Sequence, residues 1–140
     1  MKRYRTSHLI KSEDLNHHGT LYAGRSTEWL VESAFIAAAA THGDPEEILC
    51  LNVHGFVFEA PVKKGELLMM TSLVVRAGRS SLTVHVTAEN EISHVSPTQG
   101  FITFVTVDKQ THRAKAHRVT LDETTDQAEL ELRQQAAKLY

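Results

Sequence analysis

The sequence predicts an α+β domain in which one curved antiparallel sheet wraps around one long central helix. Three observations carry this. One apolar segment has helical length and clear end signals, and four later segments rich in β-branched and aromatic residues alternate with turn chemistry. The apolar content of 41% is also enough for a real core in a chain of 140 residues, the size of one ordinary domain.

The elements follow in order. Residues 4–10 suit an edge strand, and 11–24 are polar and Gly-containing, a loop. From about Arg25 to Thr41 the pattern is helical, with Gly43 and Pro45 marking the end. At about 100° per residue, Glu28 and Glu32 fall about 40° apart, while Trp29, Leu30, Val31, Ala34, Phe35 and Ile36 spread round the rest. A helix apolar nearly all round is a buried one, so this helix is expected to be wrapped, with its two carboxylates as the exception. The run Ala37 to Ala40 would admit a sheet close to its backbone.

Strands are expected over 48–58, 66–76, 80–89 and 99–107. The third alternates: Leu82, Val84, Val86 and Ala88 on one face, Ser81, Thr83, His85 and Thr87 on the other, as in an antiparallel strand with one wet face. "RAGR" at 76–79 reads as a tight hairpin, and "DKQT" at 108–111 as a turn into a short strand near 112–119. Residues 1–121 form the domain; 122–140 form a C-terminal helical tail on the surface, prone to fraying. An exposed sheet edge points to a dimer that extends the sheet.

Composition excludes several classes. A net charge of −2 speaks against a nucleic-acid binder. The longest apolar run, Phe35 to Ala40, is far too short for a bilayer, so no membrane partner is expected. The single Cys50 fits a reducing compartment, and no apolar run of signal-peptide length opens the chain. The reading is a cytoplasmic protein.

The chemistry concentrates in "NHHGTLYAGRSTEWLVE", residues 16–32. A metal site is disfavoured, because the neighbours His17 and His18 lack a helical ligand spacing and no Cys or carboxylate cluster supplements them. An inert polar loop would leave unexplained two glutamates on an otherwise apolar helix, since buried carboxylates need partners or a task. A catalytic turn uses all the parts. The helix start presents free N–H groups and the positive end of the dipole, suited to a developing oxyanion. A carboxylate one or two turns in could act as general base on water, and an Asn could position that water or the carbonyl. Such an arrangement suits ester or thioester hydrolysis.

With these residues in view, the chain resembles the hotdog-fold acyl-CoA thioesterases, in the branch of cytosolic acyl-CoA hydrolases. The matching pieces are "DLNHHGTLYAG" (14–24), "WLVESA" (29–34), "FVFEAPVKKGELL" (56–68) and "GRSSLTV" (78–84). The resemblance implies a curved sheet around one helix, hydrolysis of acyl-CoA to free acid and coenzyme A, and no cofactor beyond the coenzyme A of the substrate. It also implies a homodimer or a larger assembly of dimers, with Asn16 of one protomer facing the helix acid of the other. In that family an Asn precedes a Gly-Gly turn, and an acid lies seven residues past the second glycine. Asn16 matches the Asn, Gly24 the second glycine, and Ala23 stands for the first. Seven residues past Gly24 is Val31, with Glu32 one residue later and Glu28 four past the glycine. One residue of register turns a side chain by about 100°. Glu32 is the first choice for the acid and Glu28 the second, with N–H groups near Ala23 and Gly24 polarising the carbonyl.

The resemblance further implies substrate contacts from Arg79, Ser80 and Ser81 to a coenzyme A phosphate, with Lys63 and Lys64 adding positive field or merely solvating a loop. His18 would touch substrate or brace its own turn. Trp29, Phe35, Phe56 and Phe58 could line or block an acyl tunnel, whereas His54 reads as packed and Cys50 as a poor nucleophile. Two rival readings stand beside hydrolysis. One is a non-catalytic acyl-CoA binding module, which the missing acid at position 31 would suit. The other is a hydroxyacyl-thioester dehydratase, which would need a His acting with an acid near the helix.

Overall fold

The computed structural model describes residues 1–140. Its elements are β1 (Tyr4–Leu9), α1 (Ala23–His42), β2 (Ile48–Val53), β3 (Leu67–Ala77), β4 (Ser81–Asn90), β5 (Thr98–Thr106) and α2 (Gln127–Ala137), with single 3-10 turns at Ser12–Asp14 and Pro45–Glu47. The five strands form one antiparallel sheet in the order β1-β3-β4-β5-β2. The α+β expectation of one helix against one curved sheet holds.

α1 lies on one face of this sheet because its small and aliphatic positions share a stripe. Ser26, Leu30, Ser33, Ala34, Ala37 and Ala38 are buried. They meet Leu68, Met70, Val74, Leu82, Val84, Val86, Ala88, Ile102 and Phe104, all fully inaccessible. The alanines bring backbone close to sheet, and Ser33 and Ser72 satisfy each other there: the Ser72 hydroxyl donates to the Ser33 carbonyl at 2.8 Å. Gly43 ends the helix in the left-handed conformation, φ 102°, with its N–H on the Ala39 carbonyl, a geometry that glycine adopts without steric cost.

Four expectations are corrected. The helix is not wrapped all round, since the face carrying Glu28 and Glu32 is open to solvent in the single chain. The strand expected over 48–58 stops at Val53, where His54 and Gly55 (φ 101°) turn the backbone off the sheet into an extended strap. No strand forms over 112–119; that segment makes one bridge, Val107 to Ala114, and otherwise lies in irregular conformation. The outer face of β4 is not wet either. Thr83 and His85 are buried, with Thr83 bonded to Thr103 at 2.9 Å and His85 to Gln99 at 2.9 Å.

The tail covers the neighbouring part of the same face. α2 docks on the outer face, where Ala136 and Leu132 pack with Leu73, Val75 and Phe101. Asp126 caps its start by accepting from the N–H groups of Ala128 and Glu129. Buried Glu129 is held by Arg133 and by the Met1 ammonium at 3.0 Å. The tail is thus a fixed second layer on the sheet.

β2 is the contrasting edge. Leu49, Leu51 and Val53 are 42%, 61% and 39% exposed there, and Cys50 is exposed beside them.

Candidate active site

The turn before α1 is built by Asn16. Its Oδ1 accepts from the N–H of His18 at 2.9 Å and of Thr20 at 3.3 Å, and its Nδ2 donates to the Thr20 hydroxyl at 3.2 Å. Asx side chains favour such turns because they replace a backbone acceptor. Gly19 supplies the positive φ of 80° that the turn needs, and Leu15 and Leu21 bridge its ends. The chain is then pinned from two sides: Leu21 N–H donates to Val62 O at 2.8 Å, and Tyr22 N–H to Asp14 O at 2.9 Å.

α1 begins with Tyr22 as a cap that offers no side-chain acceptor. Ser26 N–H makes the first helical bond, to Tyr22 O, and the N–H groups of Ala23, Gly24 and Arg25 have no acceptor within the chain. Such orphan donors carry the positive end of the helix dipole. A Cβ at Gly24 would sit 2.5 Å from Cε2 of the exposed Tyr22 ring, so a larger residue there would require that ring to move.

Beside this helix start lies a cavity of about 270 Å³. Three segments enclose it: Asn16, Thr20, Leu21, Ala23 and Ser26 from the turn and helix; Phe58 to Val62 from the strap; and Pro97 and Thr98 at the head of β5. The strap is tied down by Glu59 N–H donating to Pro97 O at 2.8 Å. Glu59, an exposed residue, is the one ionisable residue among those lining the space. Thr98 is 3% exposed and its hydroxyl has no hydrogen-bond partner.

The sequence-predicted residues divide into separate groups. Asn16, Ala23 and Gly24 come together at the helix start. His18 is exposed, its backbone held by Asn16 and its ring 3.9 Å from that of His17. Glu28 is exposed and lies 3.8 Å from Arg25. Glu32 stands on the flank facing β1, close enough to His8 to oppose the burial that lowers that imidazole's pKa; Trp29 stacks on the same His8 ring at 4.1 Å. Neither glutamate lines the cavity. Val31 packs against the core.

Arg79, Ser80 and Ser81 lie far from all of these. They form the β3–β4 hairpin, beside the end of β5 through Thr106 N–H to Ser80 O. The helix start is level with the opposite end of β3, where Ile10 N–H donates to Glu66 O. Eleven residues of β3 separate the two ends, roughly 30 Å at about 3.3 Å per residue. Lys63 and Lys64 sit at the helix-start end, where Lys63 bridges Thr20, and so cannot share a ligand contact with Arg79 of the same chain. His54 is braced on the outer face by Thr103 at 2.8 Å.

Thr98 and Glu59 were not singled out by the sequence reading. Glu59 carried a signal: it is the acid inside the apolar run FVFEAPV. Thr98 carried none, since its burial depends on strands far apart in the chain.

Comparison with known proteins places this architecture. The profile of the Thioesterase superfamily matches residues 18–96, more than half of the chain. The chain belongs to the thioesterase superfamily. Among solved structures, this superfamily member is similar to an acyl-CoA hydrolase from Bacillus cereus, at 23% identity and a TM-score of 0.86, covering 98% of this chain and 83% of that one. An acyl-CoA hydrolase from Staphylococcus aureus, in complex with butyryl coenzyme A and coenzyme A, gives 22% identity and a TM-score of 0.80 over 98% and 84% of the two chains. A hexameric hotdog-fold thioesterase of Campylobacter jejuni gives 21% and 0.69 over 80% and 87%. No curated protein matches this thioesterase-superfamily chain in sequence. The fold is the hotdog fold, and no helix in it is long and apolar enough to cross a membrane.

Proposed function

We propose that this chain hydrolyses acyl-CoA thioesters to the free acid and coenzyme A, in a homo-oligomer built from dimers. The observation that carries the reading is the helix start: unpartnered N–H groups at Ala23 to Arg25 stand beside a cavity lined by Asn16, Ala23 and Ser26. Donors fixed before the reaction begins stabilise the oxyanion that forms when water adds to a thioester carbonyl. Asn16 is locked by its own turn, so its amide is oriented at no cost when substrate enters.

Pairing of two copies along β2 supplies what one chain separates. β2 is an open edge with exposed apolar side chains, and an edge of this kind is a template for a second strand. Antiparallel pairing reverses one copy against the other, which turns the Arg79 end of each toward the helix start of its neighbour. Arg79, Ser80 and Ser81 would then meet the coenzyme A phosphates from across the junction. The hexameric state of the Campylobacter jejuni protein and the coenzyme A complexes of the Staphylococcus aureus hydrolase are consistent with this assembly and substrate.

The test is thiol release from acyl-CoAs ranging from acetyl to palmitoyl and aromatic, with wild type and Asn16→Ala. Wild type turns over at least one of them, and the variant loses about 10²-fold in kcat, the usual effect of removing one positioned polar group. A folded wild type that releases no thiol from any of them refutes the reading. Acyl-CoA binding without release would then support the binding-module alternative, to which the aliphatic residue at Val31 lends its one observation.

A further inference from the structure

We propose that the cavity at the helix start is a blind acyl pocket, which limits the substrate to acyl groups of up to about eight carbons or one aromatic ring; this rests on the hydrolase reading above.

The limit comes from the walls. On α1, Ser26 borders the cavity and is only 4% exposed, and the next residues along the sheet-facing stripe, Leu30 and Ala34, are fully inaccessible. The space therefore ends at Ser26 instead of running on between helix and sheet. On the strap side, Ala60, Pro61, Val62 and Pro97 separate it from a second space of only about 20 Å³, room for a single water. On the sheet side, buried Thr98 pairs with fully buried Ala88. Phe58 borders the cavity, whereas Trp29 stacks on His8 at the β1 flank and Phe35 lies edge-on to Phe104.

Phe58 is half-exposed and marks the open side. The strap that carries it continues from β2, so a partner paired along β2 closes over that side. Such a partner narrows the mouth. The depth is set by Ser26, Val62 and Thr98 of one chain and does not depend on the pairing.

A dry apolar cavity of about 150 Å³ holds benzene, or about 25 Å³ for each carbon. The space of about 270 Å³ then takes about eleven non-hydrogen atoms. The thioester carbonyl and the attacking water use about three of these places, at the mouth beside the free N–H groups of Ala23 to Arg25. What remains holds about eight carbons, and a palmitoyl tail needs about twice that. Leu21, Phe58 and Val62 present apolar wall, so a hydrocarbon tail or ring leaves water favourably on entering.

Thiol release is measured for acetyl-, butyryl-, hexanoyl-, octanoyl-, benzoyl-, lauroyl- and palmitoyl-CoA below their micelle concentrations. Wild type is compared with Leu21→Ala and Ser26→Leu, with urea midpoints confirming folding. In wild type, kcat/KM holds or rises through octanoyl and benzoyl and falls at least about tenfold by palmitoyl. Leu21→Ala trims the wall and moves the limit about three carbons longer; Ser26→Leu fills the blind end and moves it about as far the other way. Variants that merely loosen the fold would not shift the limit in opposite directions. Palmitoyl-CoA turned over as well as octanoyl-CoA overturns the inference and leaves the hydrolase reading standing, and so does a limit that neither variant moves. A wild type that releases no thiol from any of these removes both.

Discussion

Gly100→Ala should damage the molecule where the strap crosses β5. Gly100 lies in β5 directly beneath the strap, and a Cβ there would be 2.5 Å from Cδ1 of Phe56 and 2.6 Å from the Gly55 carbonyl oxygen. Carbon contacts are comfortable at about 3.5 Å, so the strap must rise by about 1 Å. It cannot tilt freely, because His54 N–H is bonded to Phe101 O at 2.9 Å on one side and Glu59 N–H to Pro97 O at 2.8 Å on the other. Overpacking of this kind costs about 1–3 kcal/mol. At roughly 4 °C per kcal/mol for a chain of this size, the thermal midpoint falls by about 4–12 °C. The same displacement moves Phe58 and Glu59 at the cavity wall, and a misplacement of about 1 Å costs on the order of 10² in rate. Urea unfolding and thiol release read the two effects side by side. A variant with the wild-type midpoint and wild-type turnover would show that the strap is not pinned over β5 as described.

Two further outcomes follow from burial and from the open edge. Burial holds His85 below the ordinary imidazole pKa, with the Gln99 bond only partly offsetting it. The unfolded chain therefore takes up that proton first, near the usual value of about 6.5, so stability present at neutral pH is lost as pH falls below it. Unfolding free energy measured at neutral and mildly acidic pH should drop less in His85→Gln than in wild type; His8 and His54, lowered by burial too, contribute in the same direction. Equal drops would refute the assignment. Leu51→Asp places a charge on the most exposed apolar position of β2, and light scattering after gel filtration should show a smaller species than wild type; an unchanged mass would exclude β2 as the junction.

The local rules read well where the structure is local. The periodicity of 25–41, with Gly43 and Pro45 after it, located α1 to within two residues, and "RAGR" located the hairpin. The rules failed where distant segments meet. Ser81, Thr83, His85 and Thr87 alternate with aliphatic residues and so read as a wet face. Thr83 and His85 are instead paired with Thr103 and Gln99 of β5, and the tail's Leu132 and Ala136 cover the same side of the sheet at Leu73, Val75 and Phe101. The run 48–58 reads as one strand because its β-branched residues continue past Val53, and only the positive φ at Gly55 ends the pairing. At the site, Asn16 and the helix start were legible because one short stretch holds both. The cavity was not, because Glu59 and Thr98 reach it from a strap and a strand separate in sequence.

The distance between the Arg79 hairpin and the helix-start cavity has a genetic consequence. In the β2-paired dimer proposed above, each chain would carry two half-sites at opposite ends of one sheet, and both would be completed by the same partner. A chain damaged at Asn16 still lends an intact hairpin, and a chain damaged at Arg79 still lends an intact turn. Two alleles that are each silent alone would therefore rebuild one working centre in the hybrid. Lesions should sort into two complementation groups that map to the two ends of the fold.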